Sequence, residues 1–132
     1  MAKRKPKSIG KLKKELQILV NKYCKLRDCK DGGAICISCD KWYPVDKLHG
    51  GHFIPSTYSF VRFDERNINA QCGFNCNLNK HGNTIEYRLG LIKKIGVEEV
   101  EYLEEHRNDP VKWSLPVLRE QIKEYKEKLK GV

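Results

Sequence analysis

Two close cysteine pairs, Cys36-Ile-Ser-Cys39 and Cys72-Gly-Phe-Asn-Cys76, are the residues whose type and spacing most directly prescribe chemistry in this sequence. Two thiolates from each pair can close tetrahedrally around one zinc ion. Four thiolates leave no open position for a substrate, so the expected metal is structural. Such an ion would staple the segment at residue 36 to the segment that starts at residue 72 and couple its binding to folding. Cys24 and Cys29 fall outside the pattern; Cys24 lies on an apolar helical stripe and reads as a core thiol. The competing reading is disulfides. Those need an oxidising compartment, and the N-terminus has no apolar stretch of the kind that directs export, so metal is preferred.

A second set comes next in order: His49-Gly-Gly-His52-Phe-Ile-Pro55, then Arg66-Asn67-Ile68, then Cys76-Asn77-Leu78-Asn79-Lys80. A histidine before an apolar-x-Pro turn, a central asparagine and a polar residue directly after a cysteine pair resemble the ββα-metal, or HNH, nuclease site. The chemistry can be argued from the side chains themselves. Phosphodiester hydrolysis needs a base for water and a hard cation for the charge that develops on phosphate and leaving oxygen. His52 is the candidate base, because a neutral imidazole accepts a proton near physiological pH. His49 and Asn77 are candidate ligands for a catalytic magnesium or manganese ion, completed by substrate oxygens and water. Asn67 is the brace that aims the base. An asparagine carbonyl is a weaker donor than a carboxylate, so His81 and Asn83 in the following turn stand as substitutes for Asn77. A lone histidine is more often structural than catalytic, and it is the ordered set that favours catalysis.

The resemblance narrows further. Cys36-Ile-Ser-Cys39, Gly51-His52-Phe53, Arg62-Phe63-Asp64-Glu65-Arg66-Asn67-Ile68, Gln71-Cys72, Cys76-Asn77, Gly82-Asn83, Tyr87-Arg88 and Ile95-Gly96 resemble successive blocks of the phage NinG (Rap) recombination endonuclease family. The likeness spans about residues 34–130 and includes Trp113-Ser114, which leads into the last helix. It implies a structure-specific endonuclease that cuts branched DNA, such as Holliday junctions and D-loops, inside a bacterial host. The sequence departs from the pattern where His49 replaces an acidic residue and where Asn77 replaces the final HNH histidine. That second departure keeps a different class of function open, a non-enzymatic zinc-dependent DNA-binding module.

The elements that must position these residues are partly legible. At 132 residues the chain suits one domain, with 15–132 as the zinc-containing unit and 1–14 as a basic arm. That arm carries Lys3, Arg4, Lys5, Lys7, Lys11, Lys13 and Lys14 with no acid, against a net charge of +9 for the whole chain. Such an arm suits a polyphosphate backbone, and a solubilising tail is the plain alternative. Arg62, Arg66, Lys80 and Arg88 flank the second set and are further candidates for holding phosphates, while Trp42, Tyr43 and Tyr58 could pack or stack. Trp42 and Tyr43, beside the first cysteine pair, read as packing.

Apolar residues at Leu12, Leu16, Leu19, Val20, Tyr23 and Leu26 predict a helix over 8–27 with Ser8 as its cap. Ile35, Ile37, Trp42, Tyr43 and Val45 suggest short strands around turns. Helical periodicity returns from Thr84 and ends at Gly96, a short helix over 97–106 succeeds it, and Leu118, Ile122, Tyr125 and Leu129 line a last helix with Pro116 in its first turn. That last stripe packs either on the body of the chain or across a homodimer seam. The expected fold is therefore α+β, a small zinc-stapled ββα-metal core flanked by N- and C-terminal helices. No run is long enough to span a membrane, and a cytoplasmic location is expected.

Overall fold

The structure, a computed structural model, describes residues 7–132. Its first element, α1 (Ile9–Asp28), begins where the cap predicts: the Ser8 hydroxyl accepts the Lys11 N–H. Leu12, Leu16, Val20 and Cys24 recur every fourth residue and are fully or almost fully buried. Their partner is α4 (Leu115–Leu129), capped by Ser114 with Pro116 in the first turn, where a missing N–H costs nothing. Leu118, Ile122 and Tyr125 of α4 complete this core with Phe63 and Ile68. Each such aliphatic side chain contributes about 1.5–3 kcal/mol by leaving water. Leu118, Ile122 and Tyr125 of the last stripe thus pack within the chain, on the apolar face that α1 offers, while Leu129 is half-buried.

Between these helices lie two antiparallel hairpins. In the first, β1 (Gly33–Ile35) pairs with β2 (Trp42–Pro44), and the turn between them carries Cys36 and Cys39. In the second, β3 (Leu48–His52) pairs with β4 (Ile68–Cys72), His49 opposite Gln71 and His52 opposite Ile68. A π-helical segment, Gly73–Asn79, continues directly from β4. Then come α2 (Thr84–Ile95), ended by Gly96, and α3 (Val97–His106). Tyr87 and Leu91 of α2, Val100 and Leu103 of α3, and Phe53, Ile54 and Val61 from the loop after β3 form a second core. The chain is α+β, as its patterning indicates.

Alternation along β3 decides which layer each residue meets. Leu48, Gly50 and His52 face α1, and the approach at Gly50 is so close that a Cβ would lie 2.2 Å from the Asn21 carbonyl oxygen. His49 and Gly51 face the other way, where the Tyr87 hydroxyl donates to the Gly51 carbonyl at 2.6 Å. Of the proposed basic arm, residues 11–14 form the first turns of α1, and Lys3, Arg4 and Lys5 lie outside the described residues.

Candidate functional site

The two cysteine pairs converge as their spacing predicts. The first comes from the turn after β1, the second from the end of β4 and the π-helical segment, and the four Sγ atoms all lie within 4.8 Å of one another. A tetrahedron with Zn–S bonds of about 2.3 Å requires sulfurs about 3.8 Å apart; Cys39 and Cys72 are 3.9 Å apart. Backbone N–H groups are already aimed at the sulfurs, from Cys39 and Cys72 to Cys36 Sγ at 3.4 and 3.3 Å, and from Cys76 to Cys72 Sγ at 3.3 Å. Burial pushes the Cys36 and Cys76 thiols up, so holding all four as thiolates calls for a compensating cation. The cluster can therefore hold a metal ion such as zinc.

Two polar side chains support this cluster from outside. The Tyr43 hydroxyl lies 3.5 Å from Cys39 Sγ, and the Asn83 amide donates to Cys76 Sγ at 3.6 Å. Asn83, a substitute ligand on sequence grounds, is therefore turned toward the cysteines rather than toward His49 and Asn77. For Tyr43 the sequence pattern indicates packing alone. A tyrosine four residues after a cysteine in the same hairpin is the signal that could have marked it.

His49 and Asn77 do meet. The Asn77 amide donates to His49 Nδ1 at 2.8 Å, and the imidazole lies against Gly73, where a Cβ would come within 2.5 Å of Nε2. Turning that amide over would present its oxygen beside the imidazole nitrogen, giving two neutral donors with no carboxylate between them. The pair opens onto a groove of about 430 Å³ lined by Asn21, Lys22 and Lys25 of α1. On its other side lies a groove of about 370 Å³ bordered by Lys47, Phe74 and Leu78. Phe74 is 76% exposed and Leu78 61%. His81, the other substitute ligand, is exposed in the turn before α2.

His52 stands apart from this pair. Three positions along a strand reverse the face, so His52 points toward α1 while His49 points toward the π-helical segment. Its Nε2 lies 2.9 Å from the Arg62 carbonyl, which also accepts from Gln17. A carbonyl can only accept, so Nε2 carries the proton and Nδ1 keeps its lone pair. Burial, aided by the Arg62 charge, outweighs that hydrogen bond and holds the His52 pKa below the ordinary imidazole value. The ring is therefore neutral at physiological pH.

Asn67 is completely buried and ties the loop together. Its oxygen accepts the Ile54 N–H at 2.8 Å, and its amide donates to the Ile54 and Val61 carbonyls at 2.9 and 3.2 Å. The loop it ties begins directly after His52.

The candidate phosphate contacts divide. Arg66 is held by Asp64 and Glu99 and stacks on Tyr102; Arg88 is held by Glu104 through two of its nitrogens. Helix α3 brings up both glutamates, so these two arginines are neutralised within the fold rather than displayed to phosphate. Lys7 pairs with Glu15 at 2.8 Å. Arg62 bonds Gln17 and has no carboxylate partner among the described residues, and Lys80 is exposed.

The profile of the family described as "Bacteriophage Lambda NinG protein" matches residues 1–132, the whole chain. The chain belongs to the NinG family. It is 36% identical over 119 residues to "Protein ninG" of Escherichia phage 933W, an alignment covering 90% of this chain and 57% of the relative. It is 35% identical to the proteins of the same name from Escherichia phage lambda and Salmonella phage P22, again over 90% of this chain and 56% of each relative. This family member thus spans a little over half the length of those relatives. No solved structure matches it. No helix among the described residues is long and apolar enough to cross a membrane.

Proposed function

We propose that this NinG-family chain is a metal-dependent endonuclease of the HNH-like class that cuts branched DNA such as Holliday junctions and D-loops. The observation that carries the reading is the joint placement of His52 and Asn67: a neutral histidine at the end of a β-hairpin strand, then a loop that a buried asparagine ties at both ends. In this reading His52 takes the proton of the attacking water at Nδ1, the nitrogen left with a lone pair. Asn67 is a positioning residue that touches no substrate. Arg62, beside His52 and without a carboxylate partner among the described residues, neutralises phosphate. His49 and Asn77 would hold the divalent ion, magnesium or manganese. When bound, that ion supplies charge stabilisation for the phosphate and leaving oxygen. The exposed Phe74 and Leu78 offer apolar faces to a base left unstacked at a branch. The four-cysteine ion is structural, since its ligands leave no open position.

The direct test is cleavage of a four-way junction, a D-loop and linear duplex by the parent and by His52→Ala, with magnesium and with manganese. The nuclease reading requires nicking by the parent and its loss in the variant with DNA binding kept. Binding without cleavage by the parent, over a range of metals, would sink it.

One observation favours a second reading, a zinc-dependent DNA-binding module without catalysis. His52 and the His49–Asn77 pair lie on opposite faces of β3, and their hydrogen-bond partners are different residues. Under that reading His52→Ala has no activity to lose.

A further inference from the structure

We propose that the solvent face of α1 is a phosphate track that leads nucleic acid into the His49–Asn77 groove, with Lys22 and Lys25 as its inner contacts. The proposal rests on the DNA-acting reading and names the surface that would hold the backbone.

Lys11, Lys14, Ile18, Lys22 and Lys25 succeed one another at spacings of three and four, so they share one face of α1, opposite the buried stripe of Leu12, Leu16, Val20 and Cys24. At 1.5 Å per residue, Lys11 and Lys25 are about 21 Å apart along the helix. Glu15, four residues after Lys11, borders that face and is the nearest acid to it. The two acidic residues of α1 are engaged elsewhere: Glu15 pairs with Lys7 and Lys126, and Asp28 accepts from Arg27, Lys94 and the Ala70 N–H.

Arg66 is neutralised in place by Asp64 and Glu99, Arg88 by Glu104 and Lys128 by Glu65, whereas Lys80, Lys93 and Lys123 form no ion pair among the described residues and are scattered over α2, α4 and the turn before α2 rather than aligned on one helix face. Lys11, Lys14, Lys22 and Lys25 form no ion pair among the described residues. Fixed positive charge without internal partners is what a polyanion displaces counterions to reach.

The track ends at a defined place. Lys22 and Lys25 line the same groove as His49 and Asn77, with the Gly50 backbone as its floor. A solvated helix face chosen only for solubility has no reason to terminate in a groove that holds a hydrogen-bonded histidine–asparagine pair. A backbone lying along α1 would bring a phosphate up to that pair, and the apolar groove beyond, with Phe74 and Leu78, would receive the next nucleotides of the strand.

The test uses the full zinc-loaded chain with its N-terminal bases intact. Binding of a labelled linear duplex and of a labelled four-way junction is measured by fluorescence anisotropy at several sodium chloride concentrations, for the parent, Lys22→Gln/Lys25→Gln and the control Lys93→Gln/Lys123→Gln. Each lost phosphate contact lowers the slope of log K against log[salt] by about 0.9 on duplex DNA. The track variant should therefore lose about 1.8 from the slope, with affinity falling on the order of tenfold near physiological salt. The control should show less than half that change, and Lys22→Arg/Lys25→Arg should restore the parent slope. Zinc content and thermal unfolding should match the parent throughout, since these side chains lie at the surface.

A parent that binds DNA with a slope unchanged in the track variant, or lowered equally in the control, overturns the track and leaves the functional reading standing. A parent that binds no DNA overturns both. Binding to phosphatidylserine vesicles through Lys22 and Lys25 in place of DNA would also overturn the proposal.

Discussion

Replacing Asn67 is the sharpest probe of how this fold aims its candidate base. Asn67→Ala removes the acceptor of the Ile54 N–H and the donors to the Ile54 and Val61 carbonyls, in a place from which water is excluded. One orphaned buried N–H costs about 1–3 kcal/mol, and each lost bond to a carbonyl a further ~0.5–1.5 kcal/mol. The small cavity adds to this, and partial relaxation of the loop returns some of it. The expected loss is about 3 kcal/mol, a large part of the 5–15 kcal/mol typical of a domain but not all of it.

Asn67→Asp separates hydrogen bonding from volume. One carboxylate oxygen can still accept from Ile54, but the other faces two carbonyls, so the group should take up a proton in the folded state. Its folded pKa then lies above the unfolded value of about 3.9, and stability falls as pH rises from about 4 through that raised pKa before levelling. The assay is guanidinium unfolding in zinc-saturated buffer at pH 5 and pH 8, read by tryptophan fluorescence. Trp113 is a suitable reporter because its indole N–H donates to the Ser59 carbonyl within the same loop. Asn67→Ala within 0.5 kcal/mol of the parent, or Asn67→Asp losing no more stability than the parent between the two pH values, would refute the brace.

Metal analysis should find one zinc per chain, reduced by Cys36→Ser and unchanged by Cys24→Ser, since Cys24 is buried between α1 and α4 with its thiol pushed up to about 12. An intact fold without zinc after dialysis against a chelator would remove the structural role. His52, tracked by NMR, should titrate below 6.5, and its contribution to stability should be full above that value and fall away as pH drops through the lowered folded pKa. An ordinary or raised pKa would contradict its burial. Leu118→Ala should destabilise the chain by about 2–5 kcal/mol without changing its sedimentation, because the residue packs on α1 of the same chain. A shift of oligomeric state in place of lost stability would return that stripe to an interface between copies.

What the sequence determined by itself is what depends on near neighbours. The four-residue recurrence of Leu12, Leu16, Val20 and Cys24 sets the buried face of α1, and Ser8, Gly96 and the Ser114–Pro116 start mark helix ends through local hydrogen bonds and fixed dihedrals. The spacing within each cysteine pair brings two sulfurs within reach of one ion before any fold is known, which is why the cluster was legible. Asn67 is singled out by the resemblance of the surrounding motif order to the HNH pattern, while the bonds by which it ties Ile54 and Val61 appear only in the folded chain.

Only the tertiary structure decided the rest. His49 and His52 are three residues apart, close in sequence, yet strand alternation sends one to the π-helical segment and the other toward α1. Arg88 reads as a free cation because its carboxylate partner lies 16 residues away on α3, and Arg66 because Glu99 lies 33 residues away there, although its other partner, Asp64, is only two residues off in the chain. The Leu118, Ile122 and Tyr125 stripe has the same periodicity whether it meets α1 or a second chain, and Lys22 and Lys25 acquire a groove only when β3 packs beneath them. Periodicity defines a face, but the partner of that face is settled by packing, where many distant residues compete for the same surface.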